Sequence, residues 1–202
     1  LHKYESGDVT PSKEMILRLS ESLEVNPDFF YKTQKIELHD VEFRKLNILS
    51  VKEENRIKET TKQYVSNYLE LEEIIGLSTV FNTPLNDSIE INNIEDIDKA
   101  TQALREKWGL GNDPIYSVVD LLEDNHIKIV EIEAGDEFDG MQAWVNNKSF
   151  PVIVINTSRV KKDDRKRFTI LHELGHMVLP LAHLALNQRE KFCNQFASSM
   201  LF

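Results

Sequence analysis

The pattern His172-Glu173-Leu174-Gly175-His176 constrains this chain more than any other stretch. It lies inside an apolar run, with Phe168-Thr169-Ile170-Leu171 before it and Met177-Val178-Leu179 after it, so it reads as a buried or half-buried helix. On a helix, residues four apart lie one turn above each other, which points both imidazoles at a single place. Two neutral imidazoles on one face are a chelate for zinc, and the Glu173 carboxylate on the adjoining edge is placed to take a proton from a water there. Two imidazoles and a carboxylate are costly to bury without a compensating ligand. The small Gly175 admits close packing against the same helix.

A catalytic zinc usually takes three protein ligands, and two residues compete for the third place. His183 does not fit the longer zinc-protease signature, which needs a glycine and a third His at positions held here by Leu179 and Ala182. Glu190 lies on the next helix, in Glu190-Lys191-Phe192-Cys193-Asn194, and this ExxCN run is close to the ExxAN or ExxAD arrangement by which gluzincins supply a glutamate. The competing reading of Glu190 is a capping box led by Asn187. Asn194, one turn on from Glu190, faces the same side and can hold a ligand from behind.

With 202 residues, 41% of them hydrophobic, the chain can bury a core with a smaller appendage. No apolar run approaches the roughly 20 residues of a membrane span. The single cysteine, Cys193, excludes an internal disulfide framework and agrees with a cytoplasmic location. A formal charge of -10 argues against a broad nucleic-acid surface. The chain begins at Leu1 rather than Met and stops at Phe202 inside a helical pattern, so both ends read as cuts.

Residues 1–31 resemble the back half of a helix-turn-helix domain of the Xre or Cro repressor type. The resemblance rests on Lys3-Tyr4-Glu5-Ser6-Gly7, on Thr10-Pro11-Ser12, and on a closing amphipathic helix capped by Ser12 and stopped at Asn26-Pro27 before Phe29-Phe30. The base-reading helix is expected before Leu1, and the segment sets Lys3, Lys13 and Arg18 against six carboxylates. DNA binding is therefore expected only of a complete domain, not of this fragment. Residues 32–80 read as a helical linker: a strand or short helix at Val41 to Ile48, then a long helix from about Lys52 to Ile75. That helix is either a spacer or, as its aromatic stripe favours, packed on the core. The loop from Phe81 to Ile91 reads as the domain boundary.

Residues 81–202 then read as a helix from Ile94 to Trp108, a second from Asp113-Pro114 to about Asn125, and three strands at Ile127–Ile132, Met141–Val145 and Val152–Ile155. Gly135-Asp136 and Asn146-Asn147 supply turns. The expected class is α+β, mainly helical, with a small three-stranded sheet packed on the motif helix in a zincin-like way. Asp163 or Asp164 caps that helix and Pro180 ends it. Gln142, Ala143 and Trp144 are the candidate substrate-binding edge, with a core strand as the alternative.

The run from Arg165 to His176, followed by Glu190 and Asn194-Gln195-Phe196-Ala197, resembles the ImmA/IrrE family of bacterial metallopeptidases. The resemblance covers most of residues 95–202 and departs at Cys193, where the family usually has alanine. It implies a zinc-dependent endopeptidase of the cytoplasm, with His172, His176 and Glu190 on the metal, Glu173 as general base and Asn194 behind a ligand. The implied substrate is a protein, a transcriptional repressor of the Xre type. The oxyanion donor is not identified; His126, Tyr116 and His183 are candidates. The alternative is a DNA-binding regulator or antitoxin whose peptidase-like domain senses metal or binds a partner without hydrolysis.

Overall fold

The structure, a computed structural model, describes residues 2–5, 8–31, 36–45, 49–77, 81–85, 89–146 and 149–202. Ser6-Gly7, the 46–48 end of the segment read as strand or short helix, Asn86-Asp87 and Asn147 lie outside the described residues. The chain divides into two units, 1–35 and 36–202. The first holds α1 (His2–Glu5), α2 (Lys13–Leu23) and a 3-10 turn over Pro27–Tyr31. Ser12 caps α2 as expected, its Oγ accepting the Met15 N–H at 3.3 Å. The helix closes at Glu24, in left-handed conformation with φ 53°, before Asn26-Pro27 is reached.

In the second unit the sheet has four strands in the order β1-β3-β4-β2 among the described residues, not three. β2 (Lys128–Ile132), β3 (Phe138–Val145) and β4 (Phe150–Asn156) are the expected strands. The fourth, β1 (Leu38–Lys45), comes from the segment read as a linker and pairs antiparallel with β3. Its period of two decides this: Phe43 turns to one face, where its ring meets Phe138 edge-on at 5.8 Å, while Glu42 and Arg44 turn to the other. β2 pairs parallel with β4, and β3 antiparallel with β4.

Both faces of the sheet are buried, which explains why β4 is apolar throughout rather than alternating. Val152 and Val154 share one cluster with Ile57 and Val65 of α3 (Val51–Ile74). Ile153 and Ile155 share the other with α4 (Ile94–Lys107), α5 (Val118–Asp124), α6 (Asp163–Val178) and α7 (Leu186–Leu201). The long helix is thus packed on the core. Near its far end, Glu72 pairs with the buried Lys128 of β2, whose ammonium lies 4.0 Å from the centre of the Tyr68 ring. Among the described residues no helix is long and apolar enough to cross a membrane.

One expected helix start moves. α5 begins at Val118, capped by Ser117 Oγ on the Asp120 N–H at 3.2 Å, and not at Asp113-Pro114. The cause is Arg105, a buried guanidinium of α4 that donates to the carbonyls of Gly111, Asp113 and Met200. One of them, the Asp113 carbonyl, is the first acceptor that a helix starting there would use.

Two polar groups seat the strands under α6. Asn156 is fully buried, and its amide donates to the carbonyls of Gly135 and Phe138 while its Oδ1 accepts from the N–H groups of Ala134 and Ser158. It therefore ties β4 to the turn that starts β3. Asp139 of β3 accepts from Arg159 Nε and from Arg165 Nη2 of α6, both at 2.8 Å. Burial pushes the Asp139 carboxyl up, but the two guanidinium groups outweigh it and hold it below its usual range.

Asn156→Ala strands four backbone groups, and it is expected to destabilise by about 3 kcal/mol. Thermal unfolding should then shift down by roughly 6–12 °C; an unshifted transition would show that water replaces the amide. For Asp139 the sign follows from a folded pKa lying below the unfolded value of about 3.9. Its stabilisation is complete above that value and fades as pH falls through the folded pKa. Urea midpoints of wild type and Asp139→Asn should therefore differ by a constant amount above about pH 5, and the difference should begin to close only below about pH 4, as pH falls toward the folded pKa.

Candidate metal centre

The motif helix α6 runs between Lys162, which makes no side-chain cap, and Leu179, with Pro180 beyond. Asp163 and Asp164 lie inside its first turn rather than at the cap, where they still favour the positive end of the helix dipole. Its partner α7 starts at Leu186, with Ala185 at the cap position and no side-chain cap. The capping box led by Asn187 does not form, because Asn187 is already helical. Glu190 is left to point elsewhere.

It points at the two imidazoles. His172 Nε2 and His176 Nε2 are 3.1 Å apart, Glu190 Oε2 is 3.3 Å from the first, and Glu190 Oε1 is 3.2 Å from the second. Metal–nitrogen bonds of about 2.0–2.1 Å in a tetrahedral set place neighbouring donors roughly 3.3–3.4 Å apart, so the observed spacing and the donor types fit zinc. Among the described residues these three are the group of His, Cys, Asp and Glu side chains that converges within 4.8 Å. Asn194, one turn along α7, brings its Oδ1 to 2.9 Å from His172 Nδ1. That contact assigns the proton to Nδ1 and leaves the Nε2 lone pair facing Glu190.

Glycine lets the two helices and the sheet close this tightly. A Cβ on Gly175 would lie 3.1 Å from Phe196 Cδ1 and 3.4 Å from Cys193 Cα, so the Phe196 ring would have to give by a few tenths of an ångström. A Cβ on Gly140 of β3 would lie 3.1 Å from the Val154 carbonyl and 3.4 Å from Glu173 Oε1. Glu173 therefore lies down on bare backbone. Its side chain is buried, and its Oε1 has no hydrogen-bond partner among the described residues.

The electrostatics follow from burial first. Burial pushes the Glu173 carboxyl up to about 7, against the charges of His176 and Arg44, into the range where a carboxylate takes and returns protons near neutrality. Burial pulls His172 down and keeps it neutral, the form that binds metal. Burial also pulls His176 down, but Glu190, Glu173 and Glu42 outweigh it. The two imidazoles hold Glu190 well below the usual carboxylate range. Carboxylates thus surround the convergence point and favour positive charge there.

The other expected residues lie elsewhere. His183 Nε2 is 3.2 Å from the Ile91 carbonyl and outside the cluster. His126 occupies a left-handed turn after α5, and Tyr116 is 98% exposed. Gln142, Ala143 and Trp144 are not a free edge: β3 is an inner strand, bonded to β1 on one side and β4 on the other. Ala143 is in the core, and Trp144 meets Phe81 edge-on at 5.5 Å.

β1 supplies what residues 142–144 do not. Between β1, α3, α6 and α7 lies a cleft of about 350 Å³, with Glu42, Arg44, Glu173, His176 and Glu190 on its walls. Glu42 Oε2 is 3.2 Å from Gln142 Nε2 and 4.0 Å from His176 Nδ1. The alternation in Val41-Glu42-Phe43-Arg44 signals the strand, but no local feature joins it to a motif some 130 residues away.

No curated protein and no solved structure matches the chain. The family model of Peptidase_M78, the IrrE N-terminal-like domain, matches residues 123–202. That stretch includes β2, β3 and β4 and both helices that carry the converging side chains. Over that stretch the chain is similar to the IrrE N-terminal-like domain, a metallopeptidase-like family.

Proposed function

We propose that the chain is a zinc-dependent endopeptidase in which His172, His176 and Glu190 hold the metal and Glu173 is the general base. The observation that carries this is the convergence of three ligand atoms beside a buried carboxylate that has an unpartnered oxygen. Zinc held there supplies a Lewis acid that makes water a nucleophile near neutral pH. Glu173 takes the proton of the attacking water at its carboxylate and returns it to the leaving nitrogen. Asn194 keeps His172 in the tautomer that offers Nε2. α3 and the walls of the cleft limit the access of bulk water to Glu173.

The substrate we propose is a protein presented as extended chain, because β1 is the outermost strand of the sheet among the described residues and lies beside the cleft. The resemblance supports a transcriptional repressor of the Xre type. The helix-turn-helix reading of residues 1–31 joins the same proposal, with DNA contact made through a complete domain, and the buried thiol of Cys193 suits a reducing cytoplasm.

Glu173→Gln should keep stoichiometric zinc and lose at least about 100-fold in hydrolysis of a repressor substrate. Full activity in that variant removes Glu173 as the base. Glu190→Ala should lose zinc under dialysis conditions that leave wild type loaded, as read by elemental analysis. An unchanged zinc content would take Glu190 out of the ligand set. A zinc-loaded wild type that leaves candidate repressors intact would instead favour the regulator reading.

A further inference from the structure

We propose that Arg44 is a catalytic residue, the donor that holds the substrate's carbonyl oxygen while it carries negative charge. This rests on the peptidase reading above.

The placement comes from strand register. Arg44 of β1 stands opposite Gly140 of β3, and residues directly opposed in a sheet project to the same face. At Gly140 that face is the α6 side, since a Cβ there would meet Glu173 Oε1 and Thr169 Cγ2, each at 3.4 Å. Arg44 therefore projects toward α6 beside the general base, and its Cζ lies 6.0 Å from the centre of the Phe168 ring. Glu42, two residues back on the same face, lies against His176. Two residues of strand span roughly 7 Å, so β1 runs from the ligand side of the cleft to the base side.

Charge pairing singles out the same residue. Arg44 and Lys58 are the cations on the cleft wall among the described residues. Lys58 is 4.0 Å from Glu54 and lies over the Phe43 ring. Arg44 is half-buried and has no hydrogen bond or ion pair among the described residues, so its planar N–H groups are free for a ligand. Its charge reaches both Glu173 and His172. In a partly desolvated cleft, a fixed donor aimed at developing charge stabilises a transition state more than it does in water.

The step balances. The water oxygen bonds to the peptide carbonyl carbon as Glu173 takes the water proton, and the π pair of the C=O moves onto oxygen, where Arg44 N–H groups donate. The pair then returns, the C–N bond breaks, and Glu173 delivers the proton to the leaving nitrogen.

The test uses zinc-loaded wild type, Arg44→Ala, Arg44→Lys and Glu173→Gln chains on an internally quenched peptide pool of mixed sequence, with zinc content and thermal unfolding read on the same samples. Arg44→Ala should keep zinc and its unfolding temperature, hold KM within about threefold, and lose about 100- to 1,000-fold in kcat. Added guanidinium chloride at millimolar levels should restore part of that rate, and Arg44→Lys should fall between. An unchanged kcat overturns the proposal. So does a rise in KM alone, which would assign Arg44 to a substrate carboxylate, and so does loss of zinc or of fold in both Arg44 variants. A wild type no faster than Glu173→Gln overturns the peptidase reading and this proposal together, whereas active wild type with equally active Arg44→Ala overturns Arg44 alone.

Discussion

His172 Nε2 and His176 Nε2 lie 3.1 Å apart, with one Glu190 oxygen 3.3 Å from the first and the other 3.2 Å from the second, so electron-rich atoms converge where positive charge is favoured. The fold supplies the closure that keeps them together. α7 rests on α6 at Gly175, α6 rests on the sheet at Gly140, and Asp139 grips Arg165 at the start of α6. Retreat at any of these contacts opens the triangle. A cation held there would add its binding free energy to folding, whatever its part in chemistry.

The same closure sets the protonation of Glu173. Lying on the bare backbone of Gly140 removes water from its carboxylate, and burial is the first cause of its rise to about 7. Oε1 is buried there and has no hydrogen-bond partner among the described residues. A Cβ at position 140 would press on the Val154 carbonyl at 3.1 Å and touch Glu173 Oε1 at 3.4 Å. The proton chemistry of the site is thus written partly into a strand that carries no side chain there.

What could be read from the residues in order was whatever local geometry determines. The pairing of His172 with His176 follows from one helical turn, and Asn194 behind His172 follows from one turn beyond Glu190. The place of Glu190 beside the two imidazoles was legible through its motif, although the capping reading stood beside it until α7 proved to start at Leu186. The strands read at 127–132, 141–145 and 152–155 followed from apolar alternation and continuous burial, and two of them run two to three residues longer at their starts. Less legible was whatever depends on a partner distant in sequence. Asp113-Pro114 has the form of a helix start, yet Arg105 of the preceding helix takes the carbonyls around it. Gln142 to Trp144 has the form of an edge, yet β1 covers it.

β1 changes where the site ends. The matched domain begins at residue 123, but Glu42 and Arg44 come from far upstream and reach the cleft only because the register of β1 on β3 puts Glu42 opposite Gln142 and Arg44 opposite Gly140. A slip of one residue would turn both side chains to the α3 face and bring Val41 and Phe43 to the cleft. The register is held by Phe43 against Phe138 on one face and by the Glu42–Gln142 hydrogen bond on the other. The bulge between His39 and Glu42, with Asp40 at a φ of 48°, absorbs the mismatch upstream of that lock. An apolar contact in the α3 layer therefore decides which charges face the ligand cluster, and the chemistry of the cleft depends on packing on the far side of the sheet.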